Sequence, residues 1–550
     1  MKITKKISLA LLIINFIFIK SNLAQVPVLV KDMNPGYIGS SIYFSTKVGG
    51  ILFFFANNGS GMSLWKSNGT ASGTVKLKTL NPGSANDCPM KDVNGTAFFY
   101  ADDGIHGYEL WKSDGTAAGT VLVKDINPGS SGSLMSFFKM INVNGVLFFN
   151  AYDGVNGNEL WKSDGTNAGT VLIKDIKPGS GGSNPNDWGE LTNVNGEVFF
   201  GADDGSTGYE IWKSDGTTSG TVLVTDIYPG FGMGSYPGNL VNFNGTLFFE
   251  AIAASGYDDL WTSDGTAAGT QIVYEINTGL VGLSPSHLID VNGTLFFIGL
   301  DPIHGMELWK SDGTTAGTNM VMDINPGINS SDIDGSDYIN MNGTLFLTAD
   351  DGNGYALWKS DGTLNGTLKV KYVNSYTFAF GNDFTIYNGL LYFDAEDSVN
   401  GQELWQSDGT TSGTFMAYDI NSGGGSSMPS NLTLVNGKLF FAADDGVVGY
   451  ELWALNTSTG IKENAEDKSI AVFPNPSNGS ITIMDPPGVD KLLDISIVNE
   501  SGQKVIEKGC SGYLQKTSVD LSKFSNGIYF IRATSVNGEI YKNKLILEKK

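Results

Sequence analysis

The stretch GYELWKSDGTAAGTVLVKDINPG at residues 107–129 returns throughout the chain, and no other feature restricts the fold so strongly. Trp65, Trp111, Trp161, Trp212, Trp261, Trp309, Trp358, Trp405 and Trp453 mark its copies at intervals of 46 to 51 residues. A period near 50 residues denotes one supersecondary unit used many times over. Such a unit cannot bury its apolar faces alone and depends on the copies beside it.

The copy around Trp161 reads as four strands. The first runs into Asn144-Gly145, the pair favoured in tight hairpins because both turn residues need positive φ. The second is the apolar run VLFFNA at 146–151, followed by the link Asp153-Gly154-Val155-Asn156-Gly157. The third is NELWKS at 158–163, and the turn at 164–169 leads into the fourth, TVLIKDI at 170–176. Lys177-Pro178-Gly179 ends that strand, since proline cannot donate to a ladder. Strands this apolar need cover on both faces, which adjacent blades of a propeller provide. Residues 25–36 are the tail of a repeat without a head, and residues 431–453 are a head without that tail. Two half-units at opposite ends are what a circular array shows when its first and last segments share a sheet. The expectation is an all-β chain: a single β-propeller of about nine four-stranded blades, closed by the N-terminal strand and followed by a small Ig-like β-sandwich. Nine exceeds the usual four to eight blades.

Residues 1–24 read as a signal peptide, with Lys2, Lys5 and Lys6 ahead of an apolar run from Ile7 to Ile19 that is short for a membrane span. No later run is long enough to span a bilayer. The propeller is expected over 25–455, a polar linker over 456–468, and the sandwich over 469–550, where short strands are split by Pro-Asn-Pro, Asn-Gly and Ser-Gly turns. The formal charge is −23, and both the first 24 residues and the last 90 are net basic, so the acidity lies in the repeats. Such a body repels nucleic acid and anionic membranes and favours cations or basic partners. The two cysteines, Cys88 and Cys510, lie in different segments and imply no disulfide framework.

The motif Glu109-Leu110-Trp111-Lys112-Ser113-Asp114-Gly115-Thr116 resembles the bacterial ELWxxDGT repeat family, a likeness covering most of residues 26–453 that implies architecture more than activity. The C-terminal segment resembles the type A, Por-like sorting domain of the type IX secretion system of Bacteroidetes. The matching residues are Phe473, Pro474, Asn475, Pro476, Ser477, Asn478 and Gly479, then Gly527, Ile528, Tyr529, Phe530, Ile531 and Arg532, then Lys544, Lys549 and Lys550. That resemblance implies passage through the periplasm, export by the type IX machinery, and a protein released from or held on the outer surface of a Gram-negative cell. The Ser-Asp-Gly-Thr turn is also similar in residue types to the Asp-box of sialidase-like propellers, with different spacing.

Candidate chemistry is sparse. Asp114 and its counterparts recur in most copies, as turn formers do and a single catalytic residue does not. A second set, Asp103, Asp153, Asp204, Asp351 and Asp445 with Asp301 and Asp397, lies in the link between second and third strands. Asp32, Asp125, Asp175, Asp226, Asp323 and Asp419 end fourth strands at the same end of the sheets. Carboxylates so placed suit Ca²⁺, although no copy has the ligand ladder of an EF-hand. The first five are candidate cation ligands, and no other cofactor is indicated. His106 and His304 share a loop position that elsewhere holds Asn156, Thr207 or Val448, as a solvated loop would. No catalytic residue can be singled out: the Gly-x-Ser-x-Gly elbow, the zinc helix and the phosphate loop are missing, and the one arginine, Arg532, lies outside the repeats. Trp188, the one tryptophan outside the framework, is a candidate for stacking on a sugar or partner. The expected role is a glycan- or protein-binding module at the cell surface. The competing expectations are a polysaccharide-degrading enzyme using carboxylates on the loop face, and a purely structural surface protein.

Overall fold

The computed structural model describes residues 25–82, 90–133, 139–185, 189–230, 232, 234–253, 256–275, 282–333, 338–373, 384–457, 468–484, 492–499, 504–509, 516–535 and 540–549. The expected signal peptide, both cysteines, Trp188 and most of the expected linker lie outside them. Among the described residues every regular element is a β-strand. The chain divides into two compact units, one ending at Thr457 and the other beginning at Ser458.

Among the described residues the first unit contains nine four-stranded antiparallel sheets, numbered here in chain order. Sheet 2 shows the pattern: Lys91–Val93, Thr96–Asp102, Tyr108–Ser113 and Val121–Lys124, each hydrogen-bonded to the next. Sheet 1 spans 43–79, sheet 3 spans 140–172, sheet 4 spans 192–225, sheet 5 spans 238–274, sheet 6 spans 286–322, sheet 7 spans 339–372 and sheet 8 spans 385–418. Sheet 9 takes three strands from 430–457, and its fourth is the N-terminal segment Gln25–Lys31, antiparallel to Tyr450–Thr457 with Leu29 opposite Trp453. The two half-units at the ends of the repeat region thus share one sheet.

The local sequence accounts for the strands. Asn144 at φ 52° and Gly145 at φ 83° form the hairpin turn that joins the first two strands of sheet 3, as both left-handed positions require. Second strands such as VLFFNAY at Val146–Tyr152 are buried along their whole central run. Alternate residues of each strand point to opposite faces, so each sheet contributes to two cores. Phe98, Tyr100 and Leu110 of sheet 2 pack with Leu147, Phe149 and Trp161 of sheet 3, while Phe99 and Trp111 turn the other way, onto Phe53 and Phe55 of sheet 1. Equivalent rings meet edge to face, Phe55 with Phe99 at 5.6 Å and Tyr100 with Phe149 at 6.3 Å. Ile42, Leu52 and Phe54 of the segment leading through sheet 1 share a core with Val30, Phe440 and Leu452 of sheet 9.

Lysines fasten neighbouring sheets. Lys112 of the third strand donates to the carbonyl of Gly165 in the next sheet's turn at 2.8 Å, as Lys162 does to Gly216 and Lys359 to Gly409. Lys124 of the fourth strand reaches the carbonyl of Thr170 at 2.8 Å while its ammonium stands 5.6 Å from the Trp161 ring. Sheets 5 and 8 depart from this plan, with Thr262 and Tyr274, and Gln406 and Tyr418, at the two lysine positions.

The second unit has a five-stranded sheet, built from 468–469, 540–547, 527–535, 492–499 and 504–509 in that order, and a three-stranded sheet of 471–473, 480–484 and 516–520. In Ser480–Met484 the residues alternate between exposed and covered, and Ile481 and Ile483 join Ile495, Ile497, Ile531 and Leu545 in one core.

Candidate functional site

Each sheet of the first unit has two ends. At one lie the turn between third and fourth strands and the first hairpin turn. At the other lie the link between second and third strands and the connection to the next sheet.

The turn end is nearly identical from copy to copy. In sheet 2 the Asp114 carboxylate accepts the Thr116 amide at 2.8 Å and its hydroxyl at 2.7 Å. Those bonds hold its acidity stronger than an ordinary aspartate's. The Thr116 hydroxyl takes the Gly119 amide, and Ser113 and Thr120 join their hydroxyls at 2.8 Å. A side chain at Gly119 would meet Asp114 Oδ1 at 2.1 Å, so the turn closes only around glycine. The same bonds recur around Asp164, Asp215, Asp264, Asp312, Asp361 and Asp408, and these residues build turns.

At the loop end, the five candidate cation residues are each engaged in their own link. Asp103 accepts the amides of Ile105 and His106 and the His106 ring, at 2.9, 3.0 and 2.9 Å. Asp153 accepts the amides of Val155 and Asn156, Asp204 those of Ser206 and Thr207, and Asp445 those of Val447 and Val448. Asp351 accepts the Asn353 amide and takes Lys369 at 2.6 Å. Burial pushes Asp103, Asp153, Asp204 and Asp351 toward the neutral acid, but the donors outweigh it and their pKa values lie below normal. Among the described residues no group of three or more histidine, cysteine or acidic side chains comes together as a metal site. The fourth-strand aspartates differ: Asp32, Asp125, Asp175, Asp226 and Asp323 each bury Oδ1 without a protein donor. His106 and His304 each bond the aspartate three residues before it, His304 Nδ1 to Asp301 at 2.8 Å.

The glutamate of the repeat motif, which sequence reading passed over, has a definite task at this end. Glu109, Glu159, Glu210, Glu307, Glu403 and Glu451 are fully buried. Glu109 accepts the amides of Ile126 and Asn127 at 3.1 and 2.9 Å and the Ser133 hydroxyl at 2.6 Å, so it grips both sides of the connection leaving its sheet. Glu451 takes the amides of Met33 and Asn34, each at 3.1 Å, and ties the N-terminal segment to sheet 9. Burial pushes Glu109, Glu159 and Glu307 up to about 7, against the pull of their donors. The recurrence of glutamate before Leu-Trp was the available signal. Its meaning needed the connection to fold back onto it.

Two further positions at this end vary freely: the residue before alanine in the second strand, and the third-strand residue that faces its side of the sheet two rungs on. They hold Asn150 and Asn158 in sheet 3, Gly201 and Tyr209 in sheet 4, Ile298 and Met306 in sheet 6, and Asp394 and Gln402 in sheet 8. In sheet 5 they are Glu250 and Asp258. Glu250 accepts the Asn239 amide group at 2.5 Å, and Asn239 Oδ1 accepts the backbone N–H of His287 at 3.1 Å. The His287 ring lies edge-on to Tyr338 with centroids 6.4 Å apart. Burial raises Glu250 to about 7; the Asn239 bond opposes this and repulsion from Asp258 adds to it. Asp258 is raised by burial. Asn239 and His287 both hold left-handed backbone, φ 50° and 54°. The pair was visible in the repeat as two acids together, where sheet 8 carries one acid, Asp394, beside Gln402 and sheets 3, 4 and 6 carry neutral residues.

In the second unit, the expected sorting residues at 474–479 run beside the strand at 540–547, while Gly527 and Tyr529 lie on the middle strand of the five-stranded sheet. Asn475 donates to the carbonyl of Lys544 at 2.6 Å and accepts the Ile546 amide at 2.9 Å. Pro474 and Pro476 flank it, both after cis peptide bonds. Ser477 Oγ accepts the Gly479 amide, with Asn478 between them and Gly479 at φ 129°. Tyr529 is buried two residues after Gly527, its hydroxyl on the Ser525 carbonyl at 2.8 Å.

Residues 471–548 match the family model of the secretion system C-terminal sorting domain. The chain carries a type IX sorting domain. This domain directs export to the cell surface or extracellular space of Bacteroidetes and implies engagement of the type IX secretion machinery. No curated protein matches the chain. Among solved structures, the extracellular domain of BT4673 from B. thetaiotaomicron is 10% identical, with 93% of this chain and 74% of that one aligned and a TM-score of 0.32. A puromycin hydrolase mutant complexed with PGG is 10% identical over 73% of this chain and 58% of its own, with a TM-score of 0.33. A prolyl endopeptidase is 10% identical over 68% and 55%, with a TM-score of 0.37. Among the described residues no helix is long and apolar enough to cross a membrane.

Proposed function

We propose that the nine sheets are the blades of a single closed propeller of ELWxxDGT repeats, residues 25–455, joined through a linker at 456–468 to an Ig-like sorting sandwich at 469–550. In this reading residues 1–24 are a signal peptide. Support for the ring comes from the cores: each is shared by two sheets consecutive in the chain, and one joins sheet 9 to sheet 1. The propeller acts as a binding module, and its loop ends together present the ligand face. One observation carries this: in a framework repeated almost unchanged, the two loop-end positions that include Glu250 and Asp258 range from apolar and aromatic to polar and acidic residues. A framework serving only as a scaffold has no reason to differ there. Trp188, in a sheet connection, and the five link aspartates are assigned to the same face, with Ca²⁺ as the candidate ion. A glycan array probed with the full chain, with and without calcium, tests the reading. Selective binding weakened by Asp258→Ala, at a half-buried loop-end position, is expected; an empty array with no binding to surface proteins would overturn it.

The carboxyl pair of sheet 5 favours a second reading, hydrolysis of a glycosidic bond by two acids, one protonated near neutral pH. Release of reducing sugar from a polysaccharide panel, abolished in Glu250→Gln, is the expected result. Activity that survives this change rules the pair out.

A further inference from the structure

We propose that the loop ends carry a docking surface for a basic polypeptide with aliphatic side chains between its charges. This rests on the loop ends being the ligand face. Six links between second and third strands have the same length and begin with aspartate: 103–107, 153–157, 204–208, 301–305, 397–401 and 445–449. Their third residue donates its backbone N–H to that aspartate, and in every copy but that of Ser206 the side chain is aliphatic and makes no hydrogen bond in the turn. Ser206 fills the place in one copy and adds a hydroxyl bond to Asp204 at 2.8 Å, so the turn does not require an aliphatic residue there. In the other five the residue is Ile105, Val155, Ile303, Val399 or Val447, with 70, 70, 70, 71 and 74% of its surface in water.

Single exposed aliphatics are ordinary on protein surfaces. Five at one structural position, all at the same end of their sheets, form a pattern that folding does not require. The Val447 link also packs against the segment holding Tyr37 and Ile38, which are 85 and 69% exposed; a side chain at Gly449 would meet the Tyr37 carbonyl at 2.6 Å.

Charge selects the occupant. Every one of these tips stands two residues after an aspartate. The lysines that could balance this charge instead reach the carbonyls of Gly165, Gly216, Gly409 and Thr170 beside the turns between third and fourth strands. Lys177 and Lys369, at the loop end, are paired with Asp203 and Asp351. A second copy would bring the same acidity to the contact, and an anionic bilayer is repelled for the same reason. A chain alternating basic and aliphatic side chains meets both features at once.

The test is fluorescence anisotropy of a labelled peptide of alternating lysine and valine, titrated with the full chain. Lysine–serine and glutamate–valine peptides are the controls. The lysine–valine peptide is expected to bind, more weakly as salt rises. Combining Ile105→Ser, Val155→Ser, Ile303→Ser, Val399→Ser and Val447→Ser is expected to weaken it at least tenfold with thermal unfolding unchanged. Should that variant misfold, Ile105→Ser with Val155→Ser is expected to cost about threefold. The proposal falls if the peptide does not bind, if the serine changes leave binding intact, or if lysine–serine binds as tightly. It also falls if the same changes instead abolish self-association, which would make the occupant a second copy. A glycan-array hit beside a failed peptide titration leaves the binding-module reading standing without this surface.

Discussion

The two ends of the sheets are built from the same residue types to different purposes. At the turn end Asp114 and Thr116 bond within a six-residue turn, and Lys112 ties that sheet to the next. At the loop end Asp103 also bonds its own link, but Glu109 reaches 17 to 24 residues along the chain to hold the connection, and the residues beside it vary from sheet to sheet. Turns closed by local bonds tolerate little change, because side chain and backbone depend on each other. An end held by one buried clamp leaves the surrounding positions free, and there a repeat protein can diversify without losing its cores.

Removing residues 25–31 should break this contrast most severely, since it strips sheet 9 of its fourth strand and takes Val30 from the core shared with sheet 1. A loss of about 4 kcal/mol or more is expected, as for removal of several core side chains. Thermal unfolding of the truncated chain would show it. Glu109→Ala should follow at about 2–4 kcal/mol, because the Ile126 and Asn127 amides and the Ser133 hydroxyl lose their acceptor inside the protein. Urea unfolding measures it, and Glu109→Gln should recover part of the loss.

The clamps also predict a pH dependence. Glu109, Glu159 and Glu307 lie at about 7 in the folded chain, above their ordinary 4.5. Between those values the folded chain keeps protons that the unfolded chain has released. Their contribution is therefore complete below about pH 4.5, falls as pH rises, and is gone above about 7. On the order of 1–3 kcal/mol per glutamate should separate the stability at pH 5 from that at pH 7.5 in urea unfolding, and Glu→Gln at these sites should flatten the slope. At the turn end, Lys112→Met should cost about 1 kcal/mol for one partly buried hydrogen bond to Gly165, with no change in the slope with pH. Smallest of all, Ile105→Ser should alter stability by less than about 0.5 kcal/mol, since its side chain touches water and not the turn. A large loss there would show that the tips serve folding and not recognition.

Much of the architecture was legible because each repeat states it again. Asn-Gly pairs announced hairpins, apolar second strands announced cover on both faces, and the two half-units announced the pairing of Gln25–Lys31 with Tyr450–Thr457. The sorting segment was legible because its marks are short and ordered, from Pro474 to Tyr529. The candidate site was less so. Asp103 and Asp153 read as candidate cation ligands, and the structure adds that each bonds the amides of its own link, local partners that sequence does not express. Glu250 and Asp258 stood in plain view as deviations, but their meaning required the register that places them on one face of sheet 5 beside Asn239.

By itself the sequence determined the repeating four-stranded unit, the sheet that joins the two ends of the repeat region, and the export segment, because each is marked by patterns a few tens of residues long. Only the tertiary structure decided which carboxylates are buried clamps, which close turns, and which stand together in sheet 5. Those roles depend on burial and on donors from distant or folded-back segments, and a carboxylate's chemistry is set by what surrounds it.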